Sequence, residues 1–193
     1  MRPITLLTVI FIIATLIACD EDTIRSQGDN TPADVLELLE ESSNRGAISV
    51  LDGVLSTDFV FYFDLNDIGT FVGDYMIPTF WNRDYFMRAC GNMFDLAYLI
   101  NFDIVTTGIE NPEEGATTFE VYNVHIRFLV MIDANNGFTA NGVCDFEFTN
   151  DTSAGYDDWK VSKWYDDTSP RGSAGLSSTG TPTSLGNILA SFY

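Results

Sequence analysis

Few residues in this chain are suited to acid–base chemistry, and the most suggestive pair lies in one strand-like segment. Tyr62 and Asp64 stand two positions apart in the aromatic run 58–64, so they share one face of a strand. Burial moves the pKa of a carboxylate toward neutrality, where proton transfer is efficient, and a tyrosine hydroxyl can donate to a developing oxyanion. The spacing allows a Tyr/Asp acid–base couple, but a core tyrosine beside a strand-ending aspartate is the simpler interpretation.

His125 is the only histidine and the other candidate for a general base. It alternates with Asn123 and Arg127 inside the run 118–133, opposite the apolar positions, which predicts a solvent-facing sheet surface. Charge pairs across neighbouring strands on such a surface contribute about 0.2–1 kcal/mol each. We therefore expect a structural role for His125.

Other chemical signatures are absent from the sequence. It has no glycine-rich phosphate loop, no G-x-S-x-G elbow, no H-E-x-x-H and no C-x-x-C. Late aspartates lack the alternating spacing of a calcium loop and indicate a solvated acidic rim. These aspartates are Asp151, Asp157, Asp158, Asp166 and Asp167. We expect neither a metal nor a cofactor.

The composition predicts one globular, strongly acidic domain. The chain has 193 residues, 46% of them hydrophobic, and its 28 acidic against 9 basic residues give a net charge of −19. That apolar content is typical of a folded core and excludes wholesale disorder. The charge excludes a protein that binds nucleic acid by counterion release.

The N-terminus has the pattern of an export signal. The apolar run 4–18 reaches roughly 22 Å as a helix, short of the ~30 Å hydrocarbon core of a bilayer. It ends in Leu-Ile-Ala-Cys at Cys19, which resembles the lipobox of bacterial lipoproteins. The resemblance implies removal of residues 1–18, lipidation of Cys19 and anchoring to a membrane of the bacterial cell envelope, with the leaflet left open. Residues 19–30 then form a polar tether.

With Cys19 lipidated, Cys90 and Cys144 remain as an even pair in an oxidising compartment. A disulfide and two buried free thiols are both compatible with the sequence.

The order of elements predicts helices first and a strand meander afterwards. Thr31 is a cap for a helix that Gly46 closes, 47–55 forms a second helix, and Asn82 caps a third through about residue 94. After strand 58–64, period-two alternation predicts four more strands, and 185–193 docks back as a short helix or strand. Those four strands are 96–107, 118–133, 140–149 and 159–165.

Three motifs carry a resemblance to a known family. The two leading helices with 58–62 (DFVFY), 81–84 (WNRD) and the closing strand 159–166 (WKVSKWYD) resemble the nuclear transport factor 2-like (SnoaL-like) superfamily, and within it uncharacterised bacterial lipoproteins. The resemblance covers 31–193. It implies an α+β cone, in which a curved antiparallel sheet wraps around the N-terminal helices with a pocket between them.

The resemblance also implies where a site would lie. Enzymes of this superfamily, among them isomerases, cyclases, dehydratases and epoxide hydrolases, place an Asp or His inside an apolar pocket. Strand parity puts Trp159 and Trp164 on opposite faces, so at most one of them lines the pocket. Trp81 is a pocket candidate, but a hydrophobic staple at a helix start is the simpler interpretation. The residues that we expect to line the pocket are Tyr62, Trp81, Tyr98 and Tyr122.

These features lead to three hypotheses. The first is an envelope-anchored lipoprotein whose domain is a non-catalytic binding module for a small apolar ligand or a protein partner. The alternative is a lipid-anchored isomerase or hydrolase that uses Asp64 with Tyr62. The third is a homodimer that buries His125 and Arg127 at the polar sheet face.

Overall fold

The structure, a computed structural model, describes residues 30–153, 155–168 and 181–193. The predicted signal segment 1–18, Cys19 and the tether up to residue 29 lie outside the described residues. The elements are α1 (Pro32–Arg45), α2 (Ile48–Val54), β1 (Leu55–Tyr62), β2 (Phe71–Val72), β3 (Tyr75–Met76), β4 (Phe80–Asn82), α3 (Arg83–Leu96), β5 (Leu99–Ile104), β6 (Thr118–Met131), β7 (Gly137–Asn150), β8 (Trp159–Asp167), β9 (Thr181–Pro182) and α4 (Leu185–Ala190).

The two predicted helix starts are confirmed, because side chains satisfy the first free N–H groups. The Thr31 hydroxyl accepts a hydrogen bond from the Asp34 N–H (3.2 Å), and the Asp34 carboxylate accepts one from the Thr31 N–H (2.9 Å), which completes a capping box. At the start of α3, the side-chain oxygen Oδ1 of Asn82 accepts a hydrogen bond from the Tyr85 N–H (3.1 Å). Gly46, with φ of 63°, ends α1 in the left-handed conformation that glycine adopts without strain.

The main sheet has the strand order β4-β1-β8-β7-β6-β5, and β9 pairs with β7. Neighbouring strands are antiparallel except for β1 with β8 and β7 with β9, which are parallel. The helices α1, α2 and α3 pack against this curved sheet. The predicted α+β architecture is confirmed.

The alternation in β6 separates a core face from a polar face as expected. Val124, Ile126 and Phe128 are buried, whereas His125 and Arg127 are exposed. Each fully buried aliphatic or aromatic side chain stabilises the fold by about 1.5–3 kcal/mol. The inner face is therefore the main source of stability.

One parity prediction is wrong. Trp159 and Trp164 are both buried, although they were expected on opposite faces. The register between β7 and β8 slips by one residue, because Glu147 lies opposite Lys163 while the adjacent Phe148 lies opposite Val161. Such a bulge moves the alternation by one position, so both indole rings reach the core.

Several strand boundaries differ from the prediction, and the largest differences are at β1 and β5. β1 begins at Leu55, which the sequence assigned to the second helix, and β5 covers only Leu99–Ile104 because α3 continues to Leu96. The predicted hairpin at Asn136 and Gly137 is confirmed. A Cβ atom at position 137 would lie 2.3 Å from the Val130 carbonyl oxygen, so only glycine fits there.

Cys90 in α3 and Cys144 in β7 are buried free thiols, which decides between the two alternatives. Burial raises the pKa of both thiols above the usual range. Across the described ranges, every helix is too short or too polar to span a bilayer.

Candidate functional site

The space between the helices and the sheet contains aromatic rings in contact with one another. The Phe61 ring, fully buried, has its centroid 5.1 Å from that of Phe63, 5.4 Å from Phe86 and 5.6 Å from Trp164. Trp81 is only 2% exposed. Where the resemblance implied a pocket, the described side chains form a packed aromatic core.

Trp81 belongs to this core and does not present a free ring to a ligand. Its indole N–H donates to the Tyr75 hydroxyl at 2.7 Å, and its ring lies 5.3 Å from that of Tyr193. The staple interpretation of Trp81 fits this geometry better than a ligand platform.

Tyr62 lies on the opposite, outer face of β1. Its ring stacks on Tyr165 at 4.6 Å with an interplanar angle of 8°. The Tyr165 hydroxyl donates to Glu147 (2.7 Å), and Lys163 forms an ion pair with the same carboxylate (2.8 Å). Partial burial and the Glu147 hydrogen bond raise the pKa of Tyr165 to about 12, so it remains a donor. Tyr62 is therefore part of a polar aromatic surface.

Asp64 is buried at the end of β1, with 3% of its surface exposed. One carboxylate oxygen accepts from both the backbone N–H and the side-chain amide of Asn66, each at 2.7 Å. The other oxygen, Oδ2, is buried and has no hydrogen-bond partner among the described residues. No described hydrogen bond joins Asp64 to Tyr62, so the acid–base couple that their spacing allowed as an alternative is not assembled among the described residues.

The sequence analysis missed Asp67, whose carboxylate binds the first turn of α4. The Ser184 hydroxyl donates to Oδ2, and the Asn187 side-chain amide donates to Oδ1 at 2.7 Å. Burial raises the pKa of Asp67 and the negative charge of Asp64 adds to this, whereas the bonds from Ser184 and Asn187 oppose it.

Asp166, expected on a solvated rim, is buried instead and also holds α4. It accepts from the Thr168 N–H (3.0 Å) and from the Gly186 N–H (2.7 Å). Burial raises its pKa to about 6. A raised carboxylate pKa is typical of a general acid or base, but Thr168 donates to Oδ1, the Gly186 N–H donates to Oδ2, and no described tyrosine bonds either oxygen.

Tyr98 and Tyr122, the remaining predicted pocket residues, are on the surface, 72% and 62% exposed. Tyr98 precedes β5 and so has no strand parity. Tyr122 lies in a bulge of β6, where the pairing with β7 shifts between Val121 and Val124. The prediction that these two tyrosines line an inner pocket is wrong.

An open groove of about 400 Å³ lies beside this bulge, between 105–110 and the first half of β6. Glu110, Glu120, Tyr122 and His125 are among its lining residues. The Tyr122 hydroxyl donates to Glu120, and this bond raises the pKa of Tyr122. Sequence reasoning found no signal for the groove, because it depends on where β5 stops.

A smaller cavity of about 230 Å³ lies where the tether enters the domain. The Asn30 side chain accepts from the Trp159 N–H (2.7 Å) and donates to the Trp159 carbonyl (3.2 Å), which fixes the start of the described chain on β8. Glu113, Glu114 and Asp157 contribute to the lining. In the described part of the chain, no three His, Cys, Asp or Glu side chains converge as a metal site would require.

No family sequence model matches the chain. No curated protein matches it in sequence. Solved structures do share its fold. A candidate aromatic ring hydroxylase from Novosphingobium aromaticivorans is 16% identical, with a TM-score of 0.51, over 68% of this chain and 82% of that one.

Two further structures are similar. A candidate scytalone dehydratase from the same organism is 8% identical, with a TM-score of 0.50, over 68% of this chain and 77% of that one. An NTF2-like protein of unknown function in nutrient uptake from Rhodospirillum rubrum is 15% identical, with a TM-score of 0.48, over 70% and 96%.

Proposed function

Because the chain has the nuclear transport factor 2-like fold, we propose that it is an envelope-anchored bacterial lipoprotein whose domain is a non-catalytic binding module acting through its surface. The observation that carries the non-catalytic part is the aromatic filling of the inner face. Phe61, Phe86 and Trp164 pack between the helices and the sheet, where the resemblance implies a pocket, and each is at most 3% exposed. A protein partner therefore fits the described surface better than a small apolar ligand inside the cone.

The lipid anchor is supported by the sequence around Cys19 and by charge. A surface with a net charge of −19 is repelled by anionic lipid, so a domain of this composition needs a covalent anchor to stay at a membrane. Each buried CH₂ of an acyl chain contributes about 0.8 kcal/mol, and two or more chains give stable attachment.

Fractionation of the source bacterium tests the anchor. The full-length protein should sediment with membranes and resist a high-salt wash, whereas the Cys19→Ser variant should not be lipidated and should lose this attachment. Cys90→Ser, which alters a buried thiol, is the matched control and should still sediment. Membrane attachment of Cys19→Ser as strong as that of the unmodified chain would contradict the proposal.

Native mass spectrometry of the protein purified from its own source tests whether the aromatic side chains fill the space between the helices and the sheet, so that no small ligand binds there. We expect no small apolar molecule retained by the domain once the anchor lipid is accounted for. A stoichiometric apolar molecule would instead support the small-ligand hypothesis. A dimer that dissociates when Arg127 is replaced would support the homodimer at the polar sheet face.

The enzyme alternative has one observation in its favour, the buried and unpartnered Oδ2 of Asp64. Two proteins of the same fold are described as a candidate hydroxylase and a candidate dehydratase, but at this identity the likeness extends to the fold alone. If turnover of any substrate is found, Asp64→Asn should abolish it, while Asp58→Asn, an exposed position of β1, should leave it unchanged.

A further inference from the structure

β6 is longer than the strand beside it, which leaves part of its edge without a partner. The ladder between β5 and β6 ends at the pair Ile104–Ile126, and one further bond joins the Val105 N–H to the His125 carbonyl (2.9 Å). Beyond this point, residues 118–124 have no strand on that side within the described ranges, while β7 pairs along the other side.

The chain leaving β5 shelters this edge without pairing to it. Residues 105–110 run beside β6 and enclose the groove of about 400 Å³, a volume within the range of natural binding sites. The lining mixes apolar with acidic side chains. The lining residues used below are Val105, Ile109, Glu110, Phe119, Glu120 and Tyr122.

The bulge in β6 fixes one acidic side of the groove. Asn123 has a φ of 56°, and its N–H donates to the Asp145 carboxylate at 2.7 Å, which holds the extra residue in place. Tyr122 is turned outward there, and its hydroxyl donates to Glu120. The Glu120 carboxylate is therefore held beside the free edge.

The charge of the groove selects for a cation. Glu110 is exposed and has no ion-pair partner in the described part of the chain, and no Lys or Arg is among the lining residues. His125 is the one basic side chain of the lining. Two carboxylates in a chain of net charge −19 attract a positively charged partner.

An unpaired strand edge selects for an extended backbone. Its N–H and C=O groups repeat every two residues, and a partner strand satisfies them best because its own groups have the same spacing. The aliphatic stem of a lysine or arginine also matches the apolar lining at Val105, Ile109 and Phe119, while its charged end reaches toward a carboxylate.

We propose that this groove binds an extended peptide segment of a partner protein that carries lysine or arginine at alternate positions. The segment adds as a strand to residues 118–124 of β6, and its cationic side chains pair with Glu110 and Glu120. This inference goes beyond the proposed function and does not depend on the anchor at Cys19.

Peptide binding to the full-length protein in neutral detergent micelles tests the proposal. The probe is a short fluorescein-labelled peptide of alternating valine and lysine, followed by fluorescence anisotropy. One control peptide has glutamate in place of lysine, and another has proline in place of alternate valines, which removes backbone N–H donors. We expect saturable binding of the lysine peptide and at least about tenfold weaker binding of both controls.

Paired variants separate a local site from general attraction. Glu110→Gln with Glu120→Gln should weaken the lysine peptide about fivefold to tenfold, since each exposed ion pair contributes modestly. Glu113→Gln with Glu114→Gln removes the same charge from the neighbouring loop, outside the groove, and should change affinity less than about twofold.

Hydrogen exchange locates the bound peptide. The amides of 118–124 should exchange more slowly when the lysine peptide is present, while those of β5 stay unchanged. The proposal is overturned if the proline peptide binds as tightly, if both paired variants weaken binding equally, or if butylammonium alone displaces the peptide at millimolar concentration. Concentration-dependent self-association that protects the same amides would instead assign the edge to a second copy of this chain.

Discussion

β5 and residues 118–124 of β6 are two consecutive stretches of edge on the same side of the sheet. They differ in whether side chains bond to their free backbone groups. Along β5, the Asn44 side chain of α1 donates to the Phe102 carbonyl (2.8 Å) and accepts from the Phe102 N–H (2.6 Å), while Glu40 accepts from the Ile104 N–H (2.8 Å). Along 118–124 of β6, no described side chain covers the edge in this way. The groove lies beside it, with residues 105–110 on the far side of the groove.

The difference indicates where an interaction is tolerated. Unpaired strand edges promote aggregation, and proteins usually cover them with side chains, charges or loops. Asn44 and Glu40 do this for β5, and Asn30 does the same for the Trp159 backbone of β8. Because side chains bond to the free backbone groups at both of those places, an edge beside two carboxylates that no described side chain covers is where we expect a partner strand to add.

The largest expected effect comes from the core on which both edges rest. Phe61→Ala removes a fully buried ring that packs against four other rings, and should lower the free energy of unfolding by about 3–5 kcal/mol. Urea unfolding measures the loss. Phe80→Ala on neighbouring β4, where the ring is 53% exposed, is the control and should cost under about 1 kcal/mol.

The same variant tests whether the two edges belong to one cooperative unit. In Phe61→Ala, amide exchange should accelerate along β5 and along β6 together, because global unfolding then dominates exchange. Acceleration confined to one edge would mean that the core does not couple them.

The next largest effect lies away from both edges, at Asp166, whose carboxylate accepts a hydrogen bond from the Gly186 N–H of α4. Burial raises the pKa of Asp166 from 3.8 to about 6, so the folded state binds a proton that the unfolded state has already released. The raised pKa favours the folded state only while the Asp166 carboxyl is protonated. The free energy of unfolding should therefore fall by roughly 3 kcal/mol as pH rises from 3.8 to about 6, and should then level off.

Chemical unfolding across this pH window measures the change. Asp166→Asn cannot ionise, so the difference in unfolding free energy between the original chain and the variant should shrink between these pH values. Asp103→Asn, whose side chain is about half exposed, is the control for removal of a carboxylate elsewhere on the sheet. A pH-independent difference for Asp166→Asn would show that this carboxyl does not titrate as described.

Removing the Asn44 side chain, which bonds to the edge of β5, should have an intermediate effect on the free energy of unfolding. Asn44→Ala leaves the Phe102 N–H and carbonyl without their side-chain partner, which should cost about 1–2 kcal/mol. Asn101→Ala, at an exposed position of β5 itself, is the matched control and should cost less than about 0.5 kcal/mol. The variant should also self-associate at high concentration, and light scattering that stays flat would weaken the comparison of the two edges.

Sequence patterns predicted the features that depend on near neighbours. The caps Thr31 and Asn82 bind N–H groups three residues away, and the alternation of His125 with Arg127 depends only on the strand they share. Tyr122 and Trp159 escaped prediction because a bulge is defined by the register with another strand.

The buried carboxylates show the same limit more strongly. Asp67 and Ser184 meet across 117 positions of sequence, so neither residue carries a local sign of burial. The apolar run 185–193 predicted a short helix or strand without deciding between them, and the structure has the helix α4 there. The open edge at 118–124 was likewise invisible, because it exists only where β5 ends earlier than its neighbour.

The smallest expected effect concerns the outer face between the two edges. Arg127 pairs with Asp103 at 3.0 Å, but both side chains are about half exposed, so Arg127→Ala should change the free energy of unfolding by less than about 0.5 kcal/mol. Urea unfolding at two protein concentrations is the measurement, with Arg45→Ala, which removes the exposed pair to Glu41, as the control. A larger and concentration-dependent loss for Arg127→Ala alone would mean that this face is buried between two copies of the chain, in which case the open edge of β6 would have to serve a dimer.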